Sequence, residues 1–143
     1  MHIQLLLLGK TRRAEIRALF DDYTARLRHF VEIEVCELRE DSPAALHRLK
    51  FEPGATLALL DADGKQFDSA QFAGWLRDCR DRGIRQVVFL CGAAEGFPEA
   101  LAQRATTRIS LSPLTFSHEL ARAMLAEQLY RAFALLAGHP YPK

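Results

Sequence analysis

Apolar residues come in two rhythms that alternate along the chain. Ile3 to Leu8 is an unbroken apolar run closed by Gly9, as expected of a strand covered on both faces. From about Thr11 to His29 the spacing changes to threes and fours, and Ile16, Leu19, Phe20, Tyr23 and Leu27 share one side of a helix. Val31 to Leu38 alternates Val31, Ile33 and Val35 against Glu32 and Glu34, which predicts a half-exposed strand. Ser42-Pro43 reads as a helix start, with Ser as N-cap and Pro at the first helical position.

Thr56 to Leu60 predicts another buried strand, and Asp61-Ala62-Asp63-Gly64 predicts a turn at its end. Asp68 and Gln71 have capping-box spacing at the head of a helix reaching about Arg82, where Gly83 suits the stop. Gln86 to Cys91 is a strand, the loop Cys91 to Phe97 follows, and a short helix runs through about Arg104. Arg108 to Leu111 predicts a short last strand. After the loop Ser112 to Phe116, Ser117 caps the longest helix, which extends to about Ala137 and is ended by Gly138 and Pro140.

Five strands alternating with five helices predict a single α/β domain over residues 1–143, with a mostly parallel sheet and helices on both faces. Ligands of such sheets sit beyond the carboxyl ends of the strands. Three loops qualify, after Leu60, after Cys91 and after Leu111.

Composition narrows the class. Hydrophobic residues make up 49% and charged residues 26%, which suits a globular core and argues against disorder. The net charge of +1 leaves a weak overall field, so any nucleic acid must be met by a local basic patch or by patches pooled in a dimer. Arg12, Arg13, Arg17, Arg26 and Arg28 are candidates, diluted by Asp21 and Asp22. Three widely spaced cysteines, with no CxxC pair and no Cys/His cluster of zinc spacing, predict reduced thiols, no metal and a cytoplasmic location. The apolar start is too short for a signal-peptide core or a membrane span.

The chemistry-bearing segments lie in the second half. Gly92 and Gly96 follow a buried strand and let the backbone approach a ligand, although GxGxxG and Walker signatures are missing. A tight packing turn explains them equally well. Leu111 to Phe116 is an apolar loop whose backbone groups could meet an adenine edge, or simply connect two elements. In the last helix Ala121, Leu125, Leu129, Ala132 and Leu136 form an apolar stripe suited to core or dimer seam. His118, Arg122 and Arg131 fall off it in that projection. Arg131 has Glu127 four residues before it, a solvated salt bridge in the plain reading. His139 and Tyr141 stand among prolines in the tail.

Taken together, the CGAAEG loop and LSPLTFSHELARAMLAEQLYRAFALLAGHPYPK resemble the bacterial ribosomal RNA large subunit methyltransferase H family of the SPOUT superfamily. The resemblance spans the whole chain. It implies a C-terminal trefoil knot and S-adenosyl-L-methionine as methyl donor. It also implies a homodimer acting on N3 of a pseudouridine in the helix 69 loop of 23S rRNA, on assembled ribosomes. The tail of one subunit is then expected near the cofactor of the other. The implied cofactor contacts are Leu60, Gly92, Leu111, Ser112, Pro113, Leu114, Thr115 and Phe116. If the tail lies over the active site, His139 or Tyr141 is the candidate to take the N3 proton or orient the base, and Arg131 is a further catalytic candidate. Arg122 and Arg131 are further candidates for holding an RNA phosphate or a developing oxyanion, and His118 is an alternative proton acceptor.

The chain departs from the family at Ala93, commonly glycine, at Ser117, commonly proline, and at Pro142, commonly histidine. Two other readings fit the same fold: a methyltransferase for a different RNA, and a non-catalytic ribosome-binding factor. A flavodoxin-like nucleotide binder lacks its phosphate loop.

Overall fold

The computed structural model describes residues 1–39 and 43–141; the Ser42 cap and Pro142 lie outside them. In chain order the elements are β1 (His2–Leu8), α1 (Ala14–Leu27), β2 (Glu32–Leu38), α2 (Pro43–His47) and β3 (Thr56–Gln66). They continue with α3 (Ser69–Asp81), β4 (Gln86–Cys91), α4 (Glu99–Ala102), β5 (Thr107–Ser110) and α5 (His118–Leu136). The strands form one sheet in the order β2-β1-β4-β3-β5, and every neighbouring pair is parallel.

The apolar runs of β1 and β4 are buried on both faces because these are the inner strands. Their side chains alternate between two cores. Ile3, Leu5, Leu7, Val87 and Phe89 face α1, α3 and α5, whereas Leu6, Leu8, Val88 and Leu90 face α2 and α4. The alternating pattern of β2 belongs to an edge strand, where Glu32 and Glu34 stay exposed. Among the described residues no helix is long and apolar enough to cross a membrane.

Two features differ from the sequence expectation. The Asp61-Gly64 turn does not end β3. The strand continues to Gln66, and Leu60 and Lys65 both align with Ile109, so residues 61–64 form an excursion within a strand that stays paired to β5. Asp61 stabilises the excursion through one carboxylate, accepting from Asp63 N–H at 3.0 Å and from Arg108 at 2.8 Å. Gly64 makes the return possible, because a Cβ there would lie 2.7 Å from the Arg108 carbonyl carbon.

The second difference is the start of α1, at Ala14 rather than near Thr11. The Thr11 amide donates to Glu37 on β2, and the Arg12 and Arg13 amides both donate to the Glu119 carboxylate of α5. A side chain from a distant helix thus serves the amides that a local cap would otherwise satisfy. The expected cap of α3 is present in full, with Asp68 and Gln71 exchanging hydrogen bonds.

Candidate functional site

The three carboxyl-end loops converge as the strand order requires, since β3 lies between β4 and β5. They enclose a cavity of about 210 Å³ with Leu60, Gly92, Leu111, Ser112, Leu114, Thr115 and Phe116 in its lining. Of the eight expected cofactor contacts only Pro113 stands outside the wall. Asp61, Cys91, Ala93, Gly96 and Phe97 complete the sides, and His118 and Ala121 contribute from the first turns of α5.

Each wall is held by its own backbone. Ala93 and Gly96 exchange amide–carbonyl hydrogen bonds at 3.3 and 3.0 Å, closing the loop after β4 on itself. Gly96 sits at φ +91°, where a side chain would be strained. Gly92 is tight for another reason: a Cβ would come within 3.1 Å of the Phe97 ring and 3.2 Å of the Gly96 carbonyl oxygen. On the opposite wall Ser110 Oγ donates to the Ser112 carbonyl, and the Leu114 amide donates to Ser112 Oγ, both at 3.0 Å. These bonds keep the loop open as a row of backbone groups between apolar side chains.

The titratable groups here favour binding over nucleophilic chemistry. Burial pushes the Cys91 thiol up to about 12, so it stays neutral and unreactive at physiological pH. The Asp63 amide and the Arg108 guanidinium hold the Asp61 carboxyl below its ordinary range, so it is an anion at the cavity edge. Among the described residues no group of three or more His, Cys, Asp or Glu is placed to hold a metal ion.

The first turns of α5 are fixed from beneath. Arg122 is fully buried and donates to Thr11 Oγ1 at 2.8 Å and to the Leu8 carbonyl at 2.6 Å. Its Nε is without a hydrogen-bond partner. The helical projection placed Arg122 off the apolar stripe, as a candidate for holding phosphate or an oxyanion. The structure corrects this, since a side chain buried between α5 and the β1–α1 loop reaches neither. Glu119, 7% exposed, is held below the ordinary glutamate range, first by the Arg13 amide, with burial opposing. Nothing local to either residue signals these roles, because their partners lie more than a hundred positions away.

The catalytic candidates gather elsewhere. α1 and α5 run side by side in the same direction, joined at their starts by Glu119 and at their ends by Tyr23 against Tyr130. Gly138, at φ +71°, ends α5, and the Gly138 and His139 amides donate to the Leu135 and Ala134 carbonyls. This turn lays His139 edge-on against Phe30 at 5.7 Å, with its side chain exposed. Tyr141 folds back over α5, its ring 4.5 Å from that of Tyr130. Its hydroxyl lies 2.9 Å from Glu127 and 3.3 Å from the Tyr23 hydroxyl. Arg131 pairs with Glu127 at 2.9 Å and lies 4.8 Å from the Tyr141 ring centre.

Burial, Tyr23 and Glu127 all push the Tyr141 phenol upward, so it remains a donor. At 1.5 Å per residue, Glu127 and Arg131 stand roughly 14 and 20 Å along α5 from His118 at the cavity. The structure therefore brings the cofactor candidates together, and the tail candidates together, but keeps the two sets apart within one chain.

Comparison with known proteins supplies a frame for both clusters. A family model described as "Predicted SPOUT methyltransferase" matches residues 1–142. A protein of Geobacter metallireducens named ribosomal RNA large subunit methyltransferase H is 37% identical, over 99% of this chain and 98% of its own length. One of the same name from Solibacter usitatus is 42% identical, over 99% of both. Among solved structures, a probable methyltransferase from Bordetella pertussis superposes with a TM-score of 0.56 at 13% identity, over 92% of this chain and 96% of that one. A probable methylase family protein from Haemophilus influenzae gives 0.57 at 9% identity, over 95% of this chain and 66% of that one. At such identities the structural likeness speaks for the fold alone.

Proposed function

The chain belongs to the SPOUT methyltransferases and, within them, to the ribosomal RNA large subunit methyltransferase H family. From that premise we propose that it methylates N3 of a pseudouridine in the helix 69 loop of 23S rRNA, on assembled ribosomes in the cytoplasm. The observation that carries the reading is the cavity at the ends of β3, β4 and β5, lined by seven of the eight residues that the family resemblance had singled out.

The cavity suits S-adenosyl-L-methionine in kind. Gly92 keeps open a space that a methyl group would crowd, and the Leu111–Phe116 loop offers backbone donors and acceptors between apolar walls. Leu60, Gly92 and Leu111 to Phe116 would hold the adenosyl part, with the Asp61 carboxylate at the edge for hydroxyl groups. When bound, the group supplies a methyl carbon that is already electrophilic. What remains for the protein is alignment and removal of the N3 proton.

The tail supplies that second part, from a second copy of the chain. Its distance from the cavity along α5 argues against service to its own cavity, and a homodimer with the tail over the partner's cavity removes the difficulty. The open side of the cavity is compatible with this, since Leu114 is 72% exposed at its rim. Of the tail candidates, His139 is exposed and suited to take the proton. Tyr141 donates to Glu127 and, with Arg131, holds the tail in place. The C-terminal segment is taken to be threaded as a trefoil knot, as in the rest of the family.

The test is transfer of labelled methyl from S-adenosyl-L-methionine to ribosomes lacking the modification, with free rRNA as control and the labelled nucleotide mapped. Label at the helix 69 pseudouridine of ribosomes alone is the expected result. Label at another base would move the chain to a different RNA target. No label anywhere would leave a ribosome-binding factor without the chemistry.

A further inference from the structure

A second depression lies beside the cofactor cavity. It is a trough of about 410 Å³ over the carboxyl ends of β1 and β2, with Gly9, Leu38, Arg39, Glu95 and Phe97 among its lining residues. Phe97, Ala93 and Gly96 line both spaces, so the loop after β4 is their common wall. From Arg39 and Phe97 in this lining, and from the exposed Lys10 that follows Gly9 at its edge, we propose that the trough seats the nucleotide adjoining the target base, with the phosphate on Lys10 and Arg39 and the base against Phe97. The inference deepens the functional reading above and rests on it.

The two cations are placed by the sheet. β1 and β2 are in parallel register, with Leu8 opposite Leu38, and the Gly9 amide donates to the Leu38 carbonyl at 2.9 Å. Gly9 and Arg39 therefore leave adjacent strand ends, about 5 Å apart in the direction of the strand hydrogen bonds, and Lys10 follows one residue further along the same edge. Both are exposed, and neither is in any ion pair among the described residues. Among the described residues, two carboxylates on the neighbouring elements already have partners. Glu37 is taken by the Thr11 amide and Arg17, and Glu119 by the Arg12 and Arg13 amides.

The rim is also anchored on each side of Lys10, at Gly9 through β2 and at Thr11 through Glu37 and Arg122. Little loop freedom is then lost when a phosphate binds. Glu95, the one carboxylate among the described lining residues, repels a phosphate and accepts from base N–H groups, which favours phosphate at the Lys10–Arg39 end and base at the Phe97–Glu95 end. An aromatic face beside paired cations is the usual chemistry for holding single-stranded nucleic acid. A weak overall charge is no obstacle, because only the rim has to be basic.

The test compares wild type, Lys10→Ala/Arg39→Ala and a control, Arg77→Ala/Arg80→Ala, in which two exposed α3 arginines are lost. Three quantities are read on full-length protein: cosedimentation with unmodified ribosomes across a potassium chloride series, KM for ribosomes in methyl transfer, and S-adenosyl-L-methionine affinity by calorimetry. The rim variant should bind ribosomes roughly tenfold more weakly, and its log–log salt slope should fall by about 1.4, two phosphate contacts at about 0.7 each. KM should rise to match, with kcat within about twofold and cofactor affinity unchanged. The control should match wild type on all three.

Equal loss in the control, an unchanged salt slope in the rim variant, or failure of wild type to bind ribosomes would overturn the proposal. If wild type transfers no methyl group yet binds ribosomes through Lys10 and Arg39, the trough stands and the enzymatic reading falls. Normal methylation by the rim variant with unchanged KM gives the reverse.

Discussion

Gly92→Ala is the sharpest probe of the cavity. The backbone of Gly92 is not in the left-handed region, so alanine adds crowding and no conformational strain. The new methyl would stand 3.1 and 3.2 Å from two Phe97 ring carbons and 3.2 Å from the Gly96 carbonyl oxygen. Apolar carbons are at ease at about 3.5–4.0 Å, so relief needs a displacement of roughly half an ångström. The Gly96 carbonyl is tied into the loop by the Ala93 amide, which leaves the Phe97 ring to move. That ring is a wall of the cavity. Overpacking of this kind costs about 1–3 kcal/mol, and if it falls on the liganded state the dissociation constant for S-adenosyl-L-methionine rises about 5- to 150-fold. Calorimetric titration measures it directly, and a thermal melt of the ligand-free protein shows how much strain is already present without ligand. Unchanged affinity in a variant with a near-normal melt would refute the placing of the cofactor against Gly92.

Other expectations follow from the same contacts. Gly64→Ala should destabilise the fold by at least 2 kcal/mol, because its methyl would meet β5 backbone at 2.7 Å rather than a flexible side chain; urea unfolding reads this, and a loss under 0.5 kcal/mol would argue against the paired excursion. Glu119→Gln should cost about 0.5–2 kcal/mol near neutral pH. Because the folded glutamate titrates below its ordinary value near 4.5, its stabilisation is full above that pH and is lost as pH falls through the folded value; wild type and variant should therefore converge in stability below about pH 4.5, and a gap persisting undiminished to pH 2 would contradict it. Tyr141→Phe removes the hydrogen bond to Glu127 and should cost about 0.5–1.5 kcal/mol, with faster proteolysis of the tail and lower kcat at unchanged cofactor affinity; intact turnover would argue against a tail held by that contact.

What could be read from the sequence was what local pattern encodes. The two-faced runs of β1 and β4, the alternation of β2, and the Asp68–Gln71 and Ser117 caps all depend on residues within a few positions of one another. The three strand-end loops were also legible, because parallel strands joined by helices must place them on one edge. Three things were not. Asp61-Gly64 has turn chemistry, and only its pairing with β5 keeps it within a strand. Arg122 has the sequence signature of an exposed helix position, and only Leu8 and Thr11 make its burial tolerable. The trough at Gly9 and Arg39 depends on the register of β1 against β2, which neither segment announces alone.

The central claim, a site built from the cavity of one chain and the tail of another, is tested most directly by mixing two impaired variants. Gly92→Val blocks the cavity and leaves the tail intact; His139→Ala does the reverse. Each alone should show little methyl transfer to ribosomes. After dissociation and random reassortment, half the dimers are mixed, and each mixed dimer of a symmetric pair carries one intact site of two. Activity should therefore recover to about a quarter of wild type. Activity that stays at the level of the separate variants after verified exchange, or a His139→Ala protein as active as wild type, would contradict it.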